Sequence, residues 1–287
     1  MRRRQRIAYL YLLPGFLVYL AFVLVPLAHT VELSFFEWDG ISVGTWVGLD
    51  NYRRLLGDGT VLSSFAHAGV FLVFTSIVPV MLGLVLAAAL SRHRLRGLAV
   101  FRTVLFLPQV IAMVVVGVAW RWMYTDDGVV NQLLHAVGLG SVSRAWLGDF
   151  TWALPAVGLV GTWVMYGLCM VLFLAGVQKI DTSLYEVARI DGAGPIREFL
   201  HVTLPGLRQE IAVALTITTI AALRNFDLVY VTTNGGPGNA TTVPAVEIYR
   251  LGFREGDVGL ACAVAVVLTL LIFTVVFTIT RLAREER

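Results

Sequence analysis

Residues 151–205 read TWALPAVGLVGTWVMYGLCMVLFLAGVQKIDTSLYEVARIDGAGPIREFLHVTLP. This stretch holds the two features that set the fold. From 151 to 178 it has no Asp, Glu, Lys or Arg, which exceeds the roughly 20 apolar residues a helix needs to cross a hydrocarbon layer. From Lys179 charge returns, and the pattern becomes that of a short amphipathic helix. Ser183, with Glu186 three residues on, has the spacing of a capping box, which starts a helix by satisfying its free N–H groups. Leu184, Val187 and Ile190 recur every three residues and give that helix one apolar face. Gly192, Gly194 and Pro195 end it. A second short helix is expected over 196–203, before Leu204-Pro205 opens the next apolar run. A short amphipathic helix held off the bilayer between two spans suits docking into a groove on a partner.

Outward from this stretch, five more runs can cross a membrane. The spans fall at about 7–31, 63–91, 101–122, 151–177, 209–231 and 258–281, with the loop 178–208 between the fourth and fifth. The fifth is the weakest, interrupted by Arg224 and Asp227. The first follows Arg2, Arg3, Arg4 and Arg6. It is too long for a signal-peptide core and no small-residue cleavage site follows, so it reads as an anchor. The chain is therefore expected to be one all-α, polytopic membrane domain over 1–287. Composition agrees: 57% of residues are hydrophobic and 14% charged, with mean hydropathy +0.78, where soluble domains carry ~25% charged residues. Lipid has to be much of the solvent of such a surface.

Six is even, so both termini share a side. With the N-terminus in the cytoplasm, inside segments hold fifteen of the 22 Lys and Arg, including Arg92, Arg94, Arg96, Arg102, Lys179, Arg189 and Arg287. Outside segments hold six: Arg53, Arg54, Arg121, Arg144, Arg250 and Arg254. The positive-inside rule then places both termini and the 178–208 loop in the cytoplasm. The segment 92–102 reads as a plain basic connector.

Several function classes lack their residues. A P-loop needs Gly, four residues, then Gly-Lys-Ser/Thr, but Lys179 is the only lysine and Gln178 precedes it. There is no HExxH, no GxSxG and no cysteine pair at metal spacing. Cys169 and Cys262 lie inside apolar runs and read as packing residues. The net charge of +3 belongs to span ends and gives no nucleic-acid signal. A membrane transferase would need a metal-holding acid set, and the nearest is Asp126-Asp127, adjacent in sequence with no third acid close by. A secondary carrier often shows an internal repeat, and none is visible.

Glu186-Val187-Ala188, Gly192 and Val202-Thr203-Leu204-Pro205 resemble the EAA loop of binding-protein-dependent ABC importer permeases: Glu-Ala-Ala, three residues, Gly, nine residues, Ile-x-Leu-Pro. Val187 and Val202 depart from that pattern by small apolar exchanges. The run from Tyr185 to Gly194, the Val47–Tyr52 segment, and Phe226-Asp227-Leu228-Val229-Tyr230 followed by Asn234-Gly235-Gly236-Pro237 resemble the carbohydrate branch, of the maltose and glycerol-phosphate type. The resemblance implies a non-catalytic permease subunit in a bacterial or archaeal plasma membrane, forming half of a sugar path by alternating access. It implies a second, non-identical permease, two copies of a cytoplasmic ABC ATPase and an extracytoplasmic solute-binding protein. No cofactor would reside in this chain, since ATP and Mg would sit on the ATPase. A non-sugar solute is the alternative.

On that resemblance, Leu184, Glu186, Val187, Ala188, Asp191, Gly192, Leu204 and Pro205 form the coupling element that seats in the ATPase. Gly192 is equally a helix terminator, and Glu186 both caps its helix and contacts the ATPase. Trp163, Tyr166, Asn225 and Asp227 are the candidate solute-path residues. Trp163 and Tyr166 could stack on a sugar or serve as interface anchors. Arg224 and Asp227, three apart on one expected helix face, either pair with each other, snorkel to the interface or border the path, since a lone charge at mid-bilayer costs roughly 3 kcal/mol.

Overall fold

A computed structural model describes residues 2–91 and 97–284. Residues 92–96 of the connector expected over 92–102, with Arg92, Arg94 and Arg96, and the terminal Arg287 lie outside the described residues. The described chain is helical, apart from loops and one two-stranded hairpin. In order the elements are α1 (Tyr11–Leu33), β1 (Phe36–Glu37), β2 (Thr45–Trp46), α2 (Asp50–Gly57), α3 (Gly59–Leu90), α4 (Ala99–Val110) and α5 (Met113–Met123). They continue with α6 (Val129–Ala136), α7 (Ala153–Val177), α8 (Thr182–Ile190), α9 (Pro195–Gly206), α10 (Arg208–Leu223), α11 (Asp227–Thr232), α12 (Pro244–Tyr249) and α13 (Val258–Ala283).

Among the described residues four helices, α1, α3, α7 and α13, are long and apolar enough to cross a membrane alone. Two of the six expected runs are not single helices. The run 101–122 is α4 and α5, bent by 96°. Pro108 lies in the tight turn that closes α4, and Ile111 and Ala112 take extended ψ values of 134° and 132°. A second bent pair, α9 and α10, meets at 70° beside Pro205 and Gly206. The expected span 209–231 also divides, because α10 stops at Leu223 and α11 restarts at Asp227. At 1.5 Å per residue α10 is about 24 Å long, short of a ~30 Å hydrocarbon layer.

The chain forms two compact units. The first comprises 1–62 and 247–269. There Asn51 organises the turn after α1: its Nδ2 donates to the carbonyls of Ser34 (3.0 Å) and Phe36 (2.8 Å). Arg54 pairs with Asp257, and Arg250 with the buried Glu247. Burial pushes the Glu247 carboxyl above its ordinary range, against the pull of Arg250.

The second unit comprises 63–246 and 270–287. Its axis is α7, the most buried of the spanning helices. Small residues let backbones meet it closely, as packing in lipid favours. A Cβ on Gly83 would lie 2.6 Å from Cys169 Cβ, and one on Gly167 would lie 2.2 Å from the Leu105 carbonyl oxygen. A π-helical turn at Val73–Ile77 inside α3 frees the Phe74 carbonyl for the Thr162 hydroxyl. It also turns Ser76 to Thr218 (2.7 Å) and Thr219 (3.2 Å) of α10. Backbone released by the bulge is thus satisfied by side chains of neighbouring helices, as an apolar surround requires.

Candidate functional site

Two sites emerge within the second unit. The first is a cavity of about 320 Å³ at the break between α10 and α11. Its wall includes Thr75 from the π-helical turn, Met113 from the start of α5, Gly161 and Met165 from α7, and Arg224, Asn225, Phe226 and Asp227 from the break itself. Gly161 leaves no room for a side chain: a Cβ there would lie 2.6 Å from Thr75 Oγ1.

Asn225 and Thr75 are buried, and neither Asn225 Oδ1 nor Thr75 Oγ1 has a hydrogen-bond partner among the described residues. Burying a polar group without a partner costs about 1–3 kcal/mol, so two of them beside one cavity are a cost that the packing here carries. Arg224 and Asp227 are exposed at the same cavity. They do not share a helix face. Arg224 caps the C-terminus of α10 and Asp227 opens α11, each at the helix end whose dipole favours its charge. No ion pair joins them among the described residues, so the mutual salt bridge is not the explanation of either.

The structure brings Asn225 and Asp227 to this cavity and leaves Trp163 and Tyr166 off its wall. Trp163 instead packs edge-on against Trp120, ring centres 5.6 Å apart. Sequence reading missed Thr75, Gly161 and Met165. They become neighbours of Asn225 only through the contacts of α3, α7 and α10, and a single sequence shows no such neighbours.

The second site is the loop after α7. Its helix α8 is capped by Asp181, whose carboxylate accepts the Ser183 N–H at 2.9 Å and is held below its ordinary pKa by that bond. The expected capping box is therefore absent. Asp181 takes the cap two residues earlier, as a strong N-cap residue just before the helix does, and Glu186 stands exposed without a capping role. Gly192 ends the segment with φ +76°, and the Ala193 N–H returns to the Ala188 carbonyl at 2.9 Å.

Two bonds brace α8 against α9. Tyr185 Oη meets Thr203 Oγ1 at 3.0 Å, and Arg189 Nε donates to the buried Glu198 carboxylate at 3.0 Å. Lys179 bonds Glu210 at 2.9 Å across the base. Held this way, α8 leaves its apolar face bare: Leu184 is 53%, Val187 56% and Ile190 84% exposed. Asp191 caps its end, Ala188 is half-buried, Leu204 is half-buried and Pro205 exposed in α9. Below α8 a cleft of about 420 Å³ is lined by Gln178, Tyr185, Glu186, Arg189 and Glu198.

A polytopic helical membrane protein with a broken helix at a polar cavity, and a braced amphipathic helix with a bare apolar face, defines a membrane transport component. Residues 40–285 match the family of binding-protein-dependent transport system inner membrane components. The chain belongs to that family and is a multi-pass, membrane-spanning permease subunit of an ABC transporter. It is 38% identical to the "Probable ABC transporter permease protein YurN" of Bacillus subtilis (strain 168), covering 92% of this chain and 91% of that protein. It is 33% identical to the diacetylchitobiose uptake system permease protein NgcF of Streptomyces coelicolor, covering 92% and 79%. It is 32% identical to the lactose transport system permease protein LacF of Rhizobium radiobacter, covering 97% and 94%. The fold is shared with a chain of a bacterial ABC transporter that imports the acidic polysaccharide alginate, with TM-score 0.83, 23% identity and 99% and 96% coverage.

Proposed function

We propose that this chain forms half of the translocation path for a sugar, beside a second, non-identical permease. Two copies of a cytoplasmic ABC ATPase bind and hydrolyse ATP with Mg, an extracytoplasmic binding protein delivers the solute, and this chain holds no cofactor of its own. Both termini and the 178–208 loop face the cytoplasm of a bacterial or archaeal cell, where the Lys and Arg excess belongs.

The observation that carries this reading is α8: a helix capped by Asp181, braced by Glu198 and Thr203, and bare along Leu184, Val187 and Ile190. Rigid apolar surface outside the bilayer is what an interface presents before its partner arrives. Glu186, with its carboxylate free at the cleft, is placed to receive a cationic side chain of the ATPase. Closure of the ATPase dimer would push α8, and the braced α9 would carry that movement into α10 and the cavity wall.

A neutral sugar suits the cavity. A carboxylate, a guanidinium, an amide oxygen and a hydroxyl, none bonded to another, can divide the donors and acceptors of vicinal hydroxyls among them. Relatives named for lactose and diacetylchitobiose uptake support the same class. The test is Ala188→Trp in the assembled importer, with co-purified ATPase and uptake of labelled sugar as readouts. The reading requires normal insertion, weakened ATPase association and loss of uptake. A variant that retains ATPase and transports like the parent removes the coupling assignment.

A further inference from the structure

The hairpin β1–β2 carries apolar surface that neither site uses. Ile41 and Val43 at its tip are 94% and 93% exposed. Single exposed apolar residues are ordinary, but these two stand on a wired tip. Asp39 Oδ1 accepts the N–H of Ile41 (2.9 Å) and of Ser42 (2.7 Å) and the Ser42 hydroxyl (2.8 Å). Those bonds, led by the Ile41 N–H, hold the Asp39 carboxyl down at about 2. Trp38 Nε1 donates to the Ser42 carbonyl at 2.7 Å, and the Trp38 carbonyl receives the N–H of Val258 (2.9 Å) and Gly259 (3.2 Å). Gly40, at φ +86°, turns the chain where a Cβ would already touch Val258. The tip is thus fixed at both ends, and its two apolar residues are β-branched, with few rotamers to lose. A preorganised apolar projection loses little entropy when it is buried by a partner.

Charge narrows the partner. Within the hairpin, from 36 to 46, the chain has Glu37 and Asp39 and no Lys, Arg or His, and of the next two basic residues, Arg53 and Arg54, Arg54 is paired with Asp257. A bilayer surface with anionic headgroups attracts basic flanks and repels acidic ones, so the complement of this tip is an apolar socket with a basic rim on a protein. Side narrows it further. Three expected spans, an odd number, separate the hairpin from the 178–208 loop, and the proposed topology therefore assigns the two to opposite faces of the membrane. Given the proposed placement of that loop against the ATPase, on which this step rests, the hairpin faces outward. We propose that Ile41 and Val43 form a docking knob for the extracytoplasmic solute-binding protein, seated in an apolar socket with a basic rim.

The test uses the complete importer in nanodiscs and its purified binding protein, in a mixture of lactose, maltose and diacetylchitobiose. The readout is the binding-protein concentration that half-maximally stimulates ATP hydrolysis. For Ile41→Ser/Val43→Ser it should rise about tenfold or more, as when interface hot spots are truncated, with full stimulation recovered at higher concentration. Glu37→Gln should flatten the salt dependence of association. An unchanged half-maximal concentration overturns the proposal. So does loss of the second permease on purification, which would assign the tip to the contact between permeases. If the parent importer copurifies with its ATPase yet no binding-protein concentration stimulates it, the proposed function fails along with the knob.

Discussion

Replacing Leu184, Val187 and Ile190 together by Ala tests whether the bare face of α8 is an interface. Alanine is the best helix former, so α8 keeps its propensity while its apolar projection disappears. The substitution removes three carbons from Leu184, two from Val187 and three from Ile190. Each buried CH₂ contributes about 0.8 kcal/mol. Scaled by exposures of 53%, 56% and 84%, the losses are about 1, 1 and 2 kcal/mol. The total, about 4 kcal/mol, is what a partner could gain by covering the face completely. Ordering costs reduce the part that appears in affinity, so association with the ATPase should weaken roughly 100- to 1,000-fold. The assay is ATPase retention through detergent purification, with binding curves for purified ATPase on nanodiscs carrying the permeases. Insertion and the Arg189–Glu198 brace lie away from the substituted atoms and should survive. Affinity within threefold of the parent would refute the reasoning, since it would mean that the face stays wet in the assembly.

Asn225→Leu should abolish sugar uptake while the importer still assembles, because it deletes the buried acceptor and fills the cavity; loss of assembly instead would make Asn225 structural. Gly192→Val forces a β-branched residue to φ +76°, which costs about 1 kcal/mol or more and should reduce coupling of ATP hydrolysis to uptake without loss of insertion. Gly167→Leu drives a side chain into the Leu105 carbonyl and should destabilise the second unit by about 1–3 kcal/mol, read as a lower melting temperature of the purified complex. Asp39 sits at about 2 in the folded tip against an ordinary 3.8. Its stabilisation of the tip is therefore complete above pH ~4 and lost as pH falls toward 2. Trp38 emission should shift over that window and stay flat in Asp39→Asn.

Much of this was legible in one sequence because lipid imposes simple demands. An uncharged run such as 151–178 can only be a helix in hydrocarbon, and the structure makes α7 of it. The apolar triplet of α8 was equally plain, since period alone reveals it. The cap was misread because two local patterns compete at 181–186. Ser183 and Glu186 match a capping box, but Asp181 lies nearer the chain's turn from Ile180 and reaches the Ser183 N–H first. The braces Tyr185–Thr203 and Arg189–Glu198 span 18 and 9 residues and leave no local trace. Trp163 is a harder case because aromatic residues serve sugars and membrane interfaces alike; its packing against Trp120 joins residues 43 apart and leaves no local trace in the sequence.

The break at 224–226 shows why the fifth run was weak in the sequence. A continuous helix from 209 to 231 would carry Arg224 and Asp227 on one stripe in hydrocarbon, with a cost of roughly 3 kcal/mol for each charge. Stopping α10 at Leu223 and restarting at Asp227 changes both the solvent and the field around them. Arg224 meets the carbonyl end of one helix and Asp227 the N–H end of the next, where dipoles favour each charge by about 0.3–1 kcal/mol. The same interruption turns Asn225 inward toward Thr75, which the π-helical turn of α3 has presented from the other side. Two irregularities in neighbouring helices therefore meet at one cavity, and each leaves a buried oxygen without a partner among the described residues. Helix breaks at membrane depth are tolerated where they line a polar cavity, so the departure from helical order and the polar wall have one cause. If that cause is solute binding, Thr75→Val, which keeps the side chain's shape and removes its hydroxyl, should reduce uptake while the importer still assembles. Uptake that survives Thr75→Val would place the solute elsewhere and leave the two orphaned oxygens to ordered water.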